Sequence, residues 1–276
     1  MKKLLKLFEP RDIKTLEAYL LHFQQIPNYK KVLSSMIKFS EMYPPLSRRS
    51  MHTDIAGRLE GINEYRRLKR SEIYMNRRDI IATYDKKGGR RLMVTGRGKK
   101  VFYSDFPLAE LREKKWDGFW TVVMYDFAEI ERTRRRYLRR KLISFGFGSP
   151  QISILVSPLP IHEEIRELIE DEGMEREVWV TRAKRILGME NCEVAEAAWP
   201  LEEINYFYKK LEKIFPKAKG ADLLGEWAQV FLAVNAQDPY LPEGLLPRDW
   251  KEKKCRKLFF STGEAGFLQA LFSAVP

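Results

Sequence analysis

The stretch that decides the fold is RRLKRSEIYMNRRDIIATYDKKGGRRLMVT, residues 66–95. Apolar residues in 51–79 recur at helical spacing between the charges, which predicts a helix. Residues 79–84 and 90–95 are apolar and β-branched, and Gly88-Gly89 lies between them, which predicts a β-hairpin with glycines in its turn. Helices followed by a basic hairpin indicate a winged helix.

Ten basic residues in this stretch are predicted to bind DNA. They are Arg66, Arg67, Lys69, Arg70, Arg77 and Arg78 in the helix, and Lys86, Lys87, Arg90 and Arg91 in the hairpin. A helix fits the major groove, where base edges are accessible, and cationic side chains on the helix and the hairpin neutralise phosphates. Charge-rich helices also occur as solvated surfaces, so the local pattern alone leaves that alternative open.

The net charge of +12 is unevenly distributed along the chain. Residues 1–115 contain 27 basic and 13 acidic residues, a net charge of +14, whereas residues 116–276 contain 23 and 25, a net charge of −2. A basic module joined to a near-neutral remainder is typical of a nucleic-acid-binding protein with a separate regulatory or assembly domain. A basic surface without a function is the alternative.

Composition restricts the remaining function classes. The 276 residues are too many for one average domain, and no apolar run reaches the roughly 18–20 residues of a membrane span. The first residues lead into Glu9, Arg11 and Asp12 rather than an apolar signal region. Two cysteines, Cys192 and Cys255, offer neither metal-ligand spacing nor a disulfide framework. We therefore expect a soluble cytoplasmic protein, not bound to membranes, without a metal site or cofactor.

Further helices are predicted before and after the basic stretch. Residues 12–25 have helical spacing, and Leu33, Met36 and Ile37 repeat it. Beyond Trp199 the pattern is mainly helical, with helices over 201–214 and 223–231, an ordered proline-interrupted connector over 238–247, and a final helical pair near 249–260 and 264–272. The aromatic residues of this part fall at helical spacing and are predicted to be core.

Residues 116–198 alternate predicted strands with predicted helices. The strands are 121–125, 151–156, 177–180 and 193–198. One helix has an apolar face of Ile130, Tyr137, Leu138 and Leu142 opposite Arg132, Arg135, Arg136, Arg139 and Arg140, and a second spans 161–170. The pattern predicts a small ferredoxin-like α/β layer. For the arginine face, solvation is the first interpretation, and contact with flanking DNA or a partner is the alternative.

The predicted fold is therefore α+β, with a winged-helix DNA-binding domain (1–111), a central ferredoxin-like domain (112–198) and a helical C-terminal domain (199–276).

Three ordered blocks of residues resemble the PaaX family of transcriptional repressors. The first is Trp116-Asp117-Gly118, Trp120, Asp126, Glu129, Arg132, Leu138-Arg139, Leu142, Gly146-Phe147-Gly148 and Val156-Ser157-Pro158. The second is Trp199, Leu201, Ile204-Asn205 and Tyr208. The third is Asp238-Pro239, Leu241-Pro242, Leu245-Leu246-Pro247 and Trp250. The first 60 residues resemble the family only in outline, and Phe127-Ala128 stands where its members often carry a proline.

The resemblance implies a winged helix, a ferredoxin-like middle domain and a helical C-terminal domain. It also implies a homodimer that binds double-stranded operator DNA and represses transcription until a small effector, an acyl- or aryl-CoA thioester, releases it. Operator and effector are the least transferable of these features, because both can vary while a scaffold persists.

Two other function classes stay open. The middle domain also resembles the CRISPR spacer-acquisition nuclease, in which a Tyr-Asp pair ends the first strand as Tyr125-Asp126 does here, so a metal-dependent endonuclease is the main alternative. Asp126 is otherwise expected to bond helix-start amides, with Glu129 as a cap of the following helix. An adaptor or RNA-binding protein is the third class.

No catalytic residues are predicted, because no Ser-His-Asp, Cys-His or paired-carboxylate arrangement is visible, and we expect the chain not to be an enzyme. The run Thr95-Gly96-Arg97-Gly98-Lys99-Lys100 lacks the spacing of a phosphate-binding P-loop. Thr95 is instead predicted to cap a helix.

Overall fold

The computed structural model describes residues 2–28, 30–33, 62–86, 89–109, 116–186 and 188–262. The chain divides into two compact units, the first made of Met1–Phe102, Ile204–Asp238 and Lys251–Pro276, the second of Tyr103–Glu203 and Pro239–Trp250. Helices and antiparallel sheets both occur, so the predicted α+β class is confirmed. The borders of the three predicted domains stay a prediction.

The described helices and strands are numbered here in chain order. The helices are α1 (Lys2–Leu5), α2 (Pro10–Gln25), α3 (Ile62–Arg77), α4 (Gly96–Asp105), α5 (Arg132–Ser144), α6 (His162–Asp171), α7 (Asn191–Ala198), α8 (Leu201–Ile214), α9 (Ala221–Asn235) and α10 (Glu252–Ser261). The strands are β1 (Ile81–Lys86), β2 (Gly89–Val94), β3 (Trp120–Tyr125), β4 (Gly148–Gln151), β5 (Ile154–Ser157) and β6 (Val178–Ala183).

The first unit brings helices from both ends of the chain together. Leu16, Leu20 and Phe23 form one buried stripe of α2, which packs against α9. Trp227 of α9 is fully buried, its ring stacks on Phe231 at a centroid distance of 5.8 Å, and its indole N–H donates to the carbonyl of Leu211 in α8 at 2.9 Å. The aromatic residues of α8 and α9 therefore contribute to the core, as their spacing predicts.

Polar contacts also join α2 to α8. The hydroxyl of Tyr206 donates to the buried carboxylate of Asp12 at 3.0 Å, and Lys210 forms an ion pair with Glu9. These residues lie about 200 positions apart in the sequence, so periodicity within either segment gives no indication that they meet.

The predicted hairpin is confirmed, with a tighter turn than expected. β1 pairs antiparallel with β2 from Ile81 opposite Val94 to Lys86 opposite Gly89. The turn residues Lys87 and Gly88 lie outside the described residues. Ile81 and Leu92 are buried while Met93 is half exposed, so the strands alternate between a buried and an exposed side.

A left-handed residue connects α3 to the hairpin. Asp79 has φ = 55°, and the N–H of Ile80 donates to the carbonyl of Met75 at 2.9 Å, the bond pattern that ends a helix in a Schellman motif. The chain thus leaves α3 in a fixed direction and enters β1 directly.

Thr95 joins the end of the hairpin to its start and to α4. Its N–H donates to the carbonyl of Ile80 at 3.0 Å, and its hydroxyl accepts a bond from the N–H of Gly98 at 3.0 Å. The predicted capping role of Thr95 is therefore confirmed. Gly98 is buried, and a Cβ there would lie 2.2 Å from the Ile80 carbonyl oxygen. Only glycine permits this close approach of α4 to the hairpin.

The second unit is built on an antiparallel sheet with strand order β4-β5-β3-β6. Along the chain its elements follow the order β3-α5-β4-β5-α6-β6, which is the β-α-β-β-α-β order of a ferredoxin-like arrangement. β3 lies in the interior of the sheet, where Val123 pairs with Leu155 of β5 on one side and with Val180 of β6 on the other. The apolar, β-branched sequence of β3 is explained by this position.

The two faces of this sheet carry separate cores. Val123, Tyr125 and Leu155 pack with the buried residues of α5 and α6, such as Leu138 and Ile165. Because side chains alternate along a strand, the neighbouring residues point the other way. The core of that face contains Trp120, Val122, Val156, Val194, Ala195, Leu201, Leu241 and Leu245.

Three sequence predictions for this unit are wrong in detail. Residues 151–156 are not one strand: β4 and β5 are separated by a turn at Ile152, which is 85% exposed, so the apolar run hides the turn. Residues 193–198 are helical, because the alanine-rich α7 begins with a capping box between Glu190 and Glu193. Ile130 is 94% exposed in a 3-10 turn before α5 and is not part of its apolar face.

The connector after α9 and the first of the two final helices agree with the sequence predictions. Residues 238–247 form an ordered connector with one 3-10 turn, Glu243–Leu245. α10 accounts for the first of the two final helices, and the second, 264–272, lies outside the described residues. Within the described residues, no helix combines the length and the apolarity that crossing a membrane requires.

Gly98→Ala should lower the stability of the fold, because the new Cβ meets backbone atoms that cannot move independently. We expect a loss of about 1–3 kcal/mol in the free energy of unfolding, measured by urea denaturation. Gly96→Ala is the matched control in the same helix, since a Cβ there has no atom within 4 Å; it should be neutral or slightly stabilising. Equal stability of the two variants would contradict the close contact.

Candidate nucleic-acid interface

Helix α3 has one buried and one exposed face. Ser71, Glu72 and Met75 are buried. Arg66, Arg70 and Arg77 are exposed, and at 3.6 residues per turn they lie within about 40° of one another around the helix axis. The sequence therefore directs a stripe of three guanidinium groups away from the packed side of the helix.

The other predicted residues of α3 flank this stripe. Arg67, Lys69 and Arg78 are exposed. The guanidinium of Arg78 lies 4.8 Å from the centroid of the Tyr74 ring, a cation–π contact that restricts its position. Five of the six predicted basic residues thus lie in α3, Arg78 directly follows it, and all six are exposed.

A buried lysine adds to the positive charge near α3. Lys31 is buried, and its ammonium lies 4.7 Å from the centroid of the Phe23 ring. Burial, with a smaller effect of the nearby positive Arg67, lowers the pKa of Lys31 to about 8. From about pH 8 up to the ordinary lysine pKa the folded chain binds fewer protons than the unfolded chain, so this group makes the unfolding free energy rise with pH there.

Three of the four predicted basic residues of the hairpin lie in the two strands that follow α3 in the sequence. Arg91 pairs with Tyr84 and Arg90 with Asp85, and Lys86 ends β1 at the turn. The structure describes the backbone of these three basic residues, and Lys87 lies outside the described residues. The junction at Asp79 and Thr95 fixes the path between α3 and the strands.

Sequence reasoning missed three basic residues at the start of α4. Arg97, Lys99 and Lys100 are exposed in its first turns, directly after β2. The N-terminus of a helix carries a partial positive charge and amides that bind anions, so these side chains add to a favourable environment for phosphate. The signal for them in the sequence is the density of cations in residues 97–100.

The environment of Asp126, the residue on which the nuclease alternative depends, differs from that of the basic residues on α3. Asp126 is exposed at the end of β3, and its N–H donates to the carbonyl of Glu177 at 2.8 Å. The residue at the N-cap of the following turn is Ala128, so the expectation that Asp126 bonds the helix-start amides is wrong. Glu129 forms an ion pair with Arg132 at 2.5 Å and lies 3.9 Å from Arg135. Among the described residues, no group of three or more His, Cys, Asp or Glu is arranged to hold a metal ion.

Several residues of the family-like blocks have structural roles. The hydroxyl of Tyr208 donates to Asp238 at 3.3 Å, and the side-chain carbonyl of Asn205 accepts the N–H of Lys251 at 3.0 Å. A Cβ at Gly148 would lie 2.5 Å from the Trp199 ring. These positions of the blocks therefore stabilise packing between elements.

Of the two free cysteines, Cys255 is buried and unreactive. The Cys255 thiol is buried and lies 3.1 Å from the carbonyl oxygen of Tyr208. Burial raises its pKa to about 12, so it stays a thiol at neutral pH.

Comparison with known proteins agrees with the sequence blocks. Residues 113–195 match the family description "PaaX protein central Cas2-like domain". The transcriptional repressor PaaX of Escherichia coli strain K12 is 25% identical to the chain over 233 residues, which cover 74% of this chain and 70% of that protein. The resemblance to the PaaX family, including the Cas2-like character of the central domain, is thereby confirmed. A solved structure of an uncharacterized Mycobacterium tuberculosis protein covers 87% of this chain and 93% of its own, with 18% identity and a TM-score of 0.49.

The chain should not hydrolyse nucleic acids, because a nuclease cation needs several oxygen ligands and the carboxylate of Glu129 is engaged by arginines. We expect intact DNA and RNA after incubation of the purified protein with Mg²⁺ or Mn²⁺, assayed by gel electrophoresis. Cleavage that requires the metal and is lost in a folded Asp126→Asn variant would contradict this expectation and favour the nuclease alternative.

Proposed function

We propose that this protein is a sequence-specific DNA-binding transcriptional repressor that recognises its operator through a winged helix. The observation that carries the proposal is the exposed arginine stripe of α3, followed immediately by the basic hairpin. In this assignment α3 is the recognition helix and the hairpin is the wing.

The chemistry of the stripe suits both parts of DNA recognition. Arginine donates two parallel hydrogen bonds to O6 and N7 of guanine in the major groove, and it also neutralises phosphates. Among the described residues, no acidic side chain forms an ion pair with Arg66, Arg70 or Arg77. Their charges are therefore available to a polyanion, and the cations of the hairpin and of α4 extend the positive surface along the chain.

The similar protein from Escherichia coli supports the same function. It is named a transcriptional repressor, and its similarity to this chain extends well beyond the central domain. By analogy we propose that this protein acts in the cytoplasm as a homodimer on double-stranded DNA, because two recognition helices related by twofold symmetry read two half-sites. We further propose that a small acyl- or aryl-CoA-type effector releases it from the operator.

The nuclease alternative lacks a comparable observation. It depends on the exposed Asp126, which does not belong to any cluster of metal ligands among the described residues. An RNA-binding adaptor would also use basic residues, but it would not require a helix with a projecting arginine stripe, since sequence-specific RNA binding mostly targets unstacked bases.

The hairpin should bind phosphates, so Lys86→Ala/Lys87→Ala is expected to reduce the slope of log affinity against log salt concentration by about two units, at about 0.9 per lost phosphate contact. The measurement is fluorescence anisotropy of the full chain with a duplex of fixed length over a salt series. The double substitution should reduce the affinity for all duplex sequences by the same factor.

Arg176→Gln/Lys184→Gln is the matched control, because it removes two exposed positive charges from the second unit. Its salt slope should equal that of the unaltered chain. An unchanged slope in the hairpin variant would contradict the assignment of the wing, and an equal decrease in both variants would indicate an effect of net charge alone.

A further inference from the structure

Ile73 is an exposed apolar side chain in the middle of the basic helix α3. It is 44% exposed. Isolated exposed apolar residues are common on protein surfaces, so exposure by itself assigns no role to this side chain. What distinguishes Ile73 is its position relative to the packed side of the helix and to the arginines.

Ile73 lies opposite the packed side of α3. Successive residues of an α-helix are about 100° apart around its axis, so Ile73 lies about 160° from the buried Met75. The buried Ser71 and Glu72 lie on either side of Met75 around the axis. The core-facing stripe of an amphipathic helix is about 100° wide, so Ile73 is not the partly covered edge of the core beneath α3.

The arginine stripe surrounds Ile73 on this exposed side. Arg70 precedes it by three residues and Arg77 follows it by four, the spacings at which side chains are neighbours on a helix surface. Arg66 lies about 20° from Ile73 around the axis. An apolar surface of another protein would be a poor partner for Ile73, because burial there would remove water from the guanidinium groups beside it.

The major groove of DNA offers both kinds of chemistry that this face requires. Phosphates and the O6 and N7 atoms of guanine accept hydrogen bonds from arginine. The C5-methyl of thymine is the apolar group that a base pair presents in the groove, and apolar side chains contact it there. An aliphatic side chain between arginines is therefore complementary to a thymine near guanines or phosphates.

We propose that Ile73 is a specificity-determining residue that contacts the C5-methyl group of a thymine in the operator. This rests on the proposed function, since it requires α3 to be the recognition helix. Residues rise about 1.5 Å along a helix axis and base pairs about 3.4 Å, so Arg70 and Arg77 lie about one to two base-pair steps from Ile73. The thymine is therefore close to the bases or phosphates that these arginines bind.

Replacement of thymine by deoxyuridine tests the contact, because it removes the methyl group and keeps the hydrogen-bonding groups of the base. A duplex selected by the full chain from a random pool is synthesised with each thymine replaced in turn, and its affinity is measured by fluorescence anisotropy. We expect at least one thymine at which deoxyuridine weakens binding about three- to fivefold, the value of one buried methyl-sized group.

Ile73→Ala should abolish this preference. The variant should bind the thymine duplex about five- to tenfold more weakly, and it should bind the thymine and deoxyuridine duplexes equally. Its salt slope should be unchanged, because no charge is lost. Ile73→Val keeps a branched side chain and should keep most of the preference. Alanine favours helices and the site is exposed, so both variants should fold, which circular dichroism verifies.

Ile130→Ala is the matched control, because it removes the same side chain from a 94% exposed position in the second unit. It should bind both duplexes as the unaltered chain does. The absence of any deoxyuridine-sensitive thymine, or a sensitivity that persists in Ile73→Ala, would overturn this proposal. The repressor function would still stand in that case if the consensus depends on Arg66 and Arg70. Selected fragments without a shared sequence would contradict the proposed function and this proposal together.

Discussion

The backbone carbonyl of Ile80 is the point on which the candidate interface depends. It accepts the N–H of Thr95 at 3.0 Å, and the buried Gly98 passes so close that no side chain fits between them. Because Ile80 directly precedes β1 and Thr95 directly follows β2, this contact fixes both ends of the hairpin. The arginine stripe of α3 and the basic strands therefore keep one geometry relative to each other, as recognition of a rigid duplex requires.

Charge and packing are divided differently between the two units. The first unit holds the exposed basic residues of α3, and its core is supplied by helices from both ends of the chain. The second unit covers both faces of its sheet with separate cores, and it contains a strongly basic helix, α5, and a strongly acidic one, α6. The family-like positions Tyr208, Asp238 and Gly148 contribute to packing within their own units.

Sequence reasoning recovered the features that have a local cause. The hairpin, the interior strand β3 and the cap at Thr95 follow from apolar alternation and from residue type. It failed where a local pattern is ambiguous: the exposed Ile152 concealed a turn within an apolar run, and the alanines of α7 carry no clear period. The bond between Asp12 and Tyr206 could not be predicted, since it joins segments 194 residues apart. The basic residues of the candidate site can be identified from the sequence, whereas the exposure of those on α3 is established only by the buried positions of that helix in the structure.

Sequencing of duplex fragments selected by the full chain from a random pool tests the central claim most directly. A winged-helix repressor acting as a symmetric dimer predicts an inverted-repeat consensus with half-sites one or more helical turns apart, and loss of that consensus in Arg66→Gln/Arg70→Gln. Bound fragments without a shared sequence, or a consensus that persists in this variant, would contradict the assignment of α3 as the recognition helix.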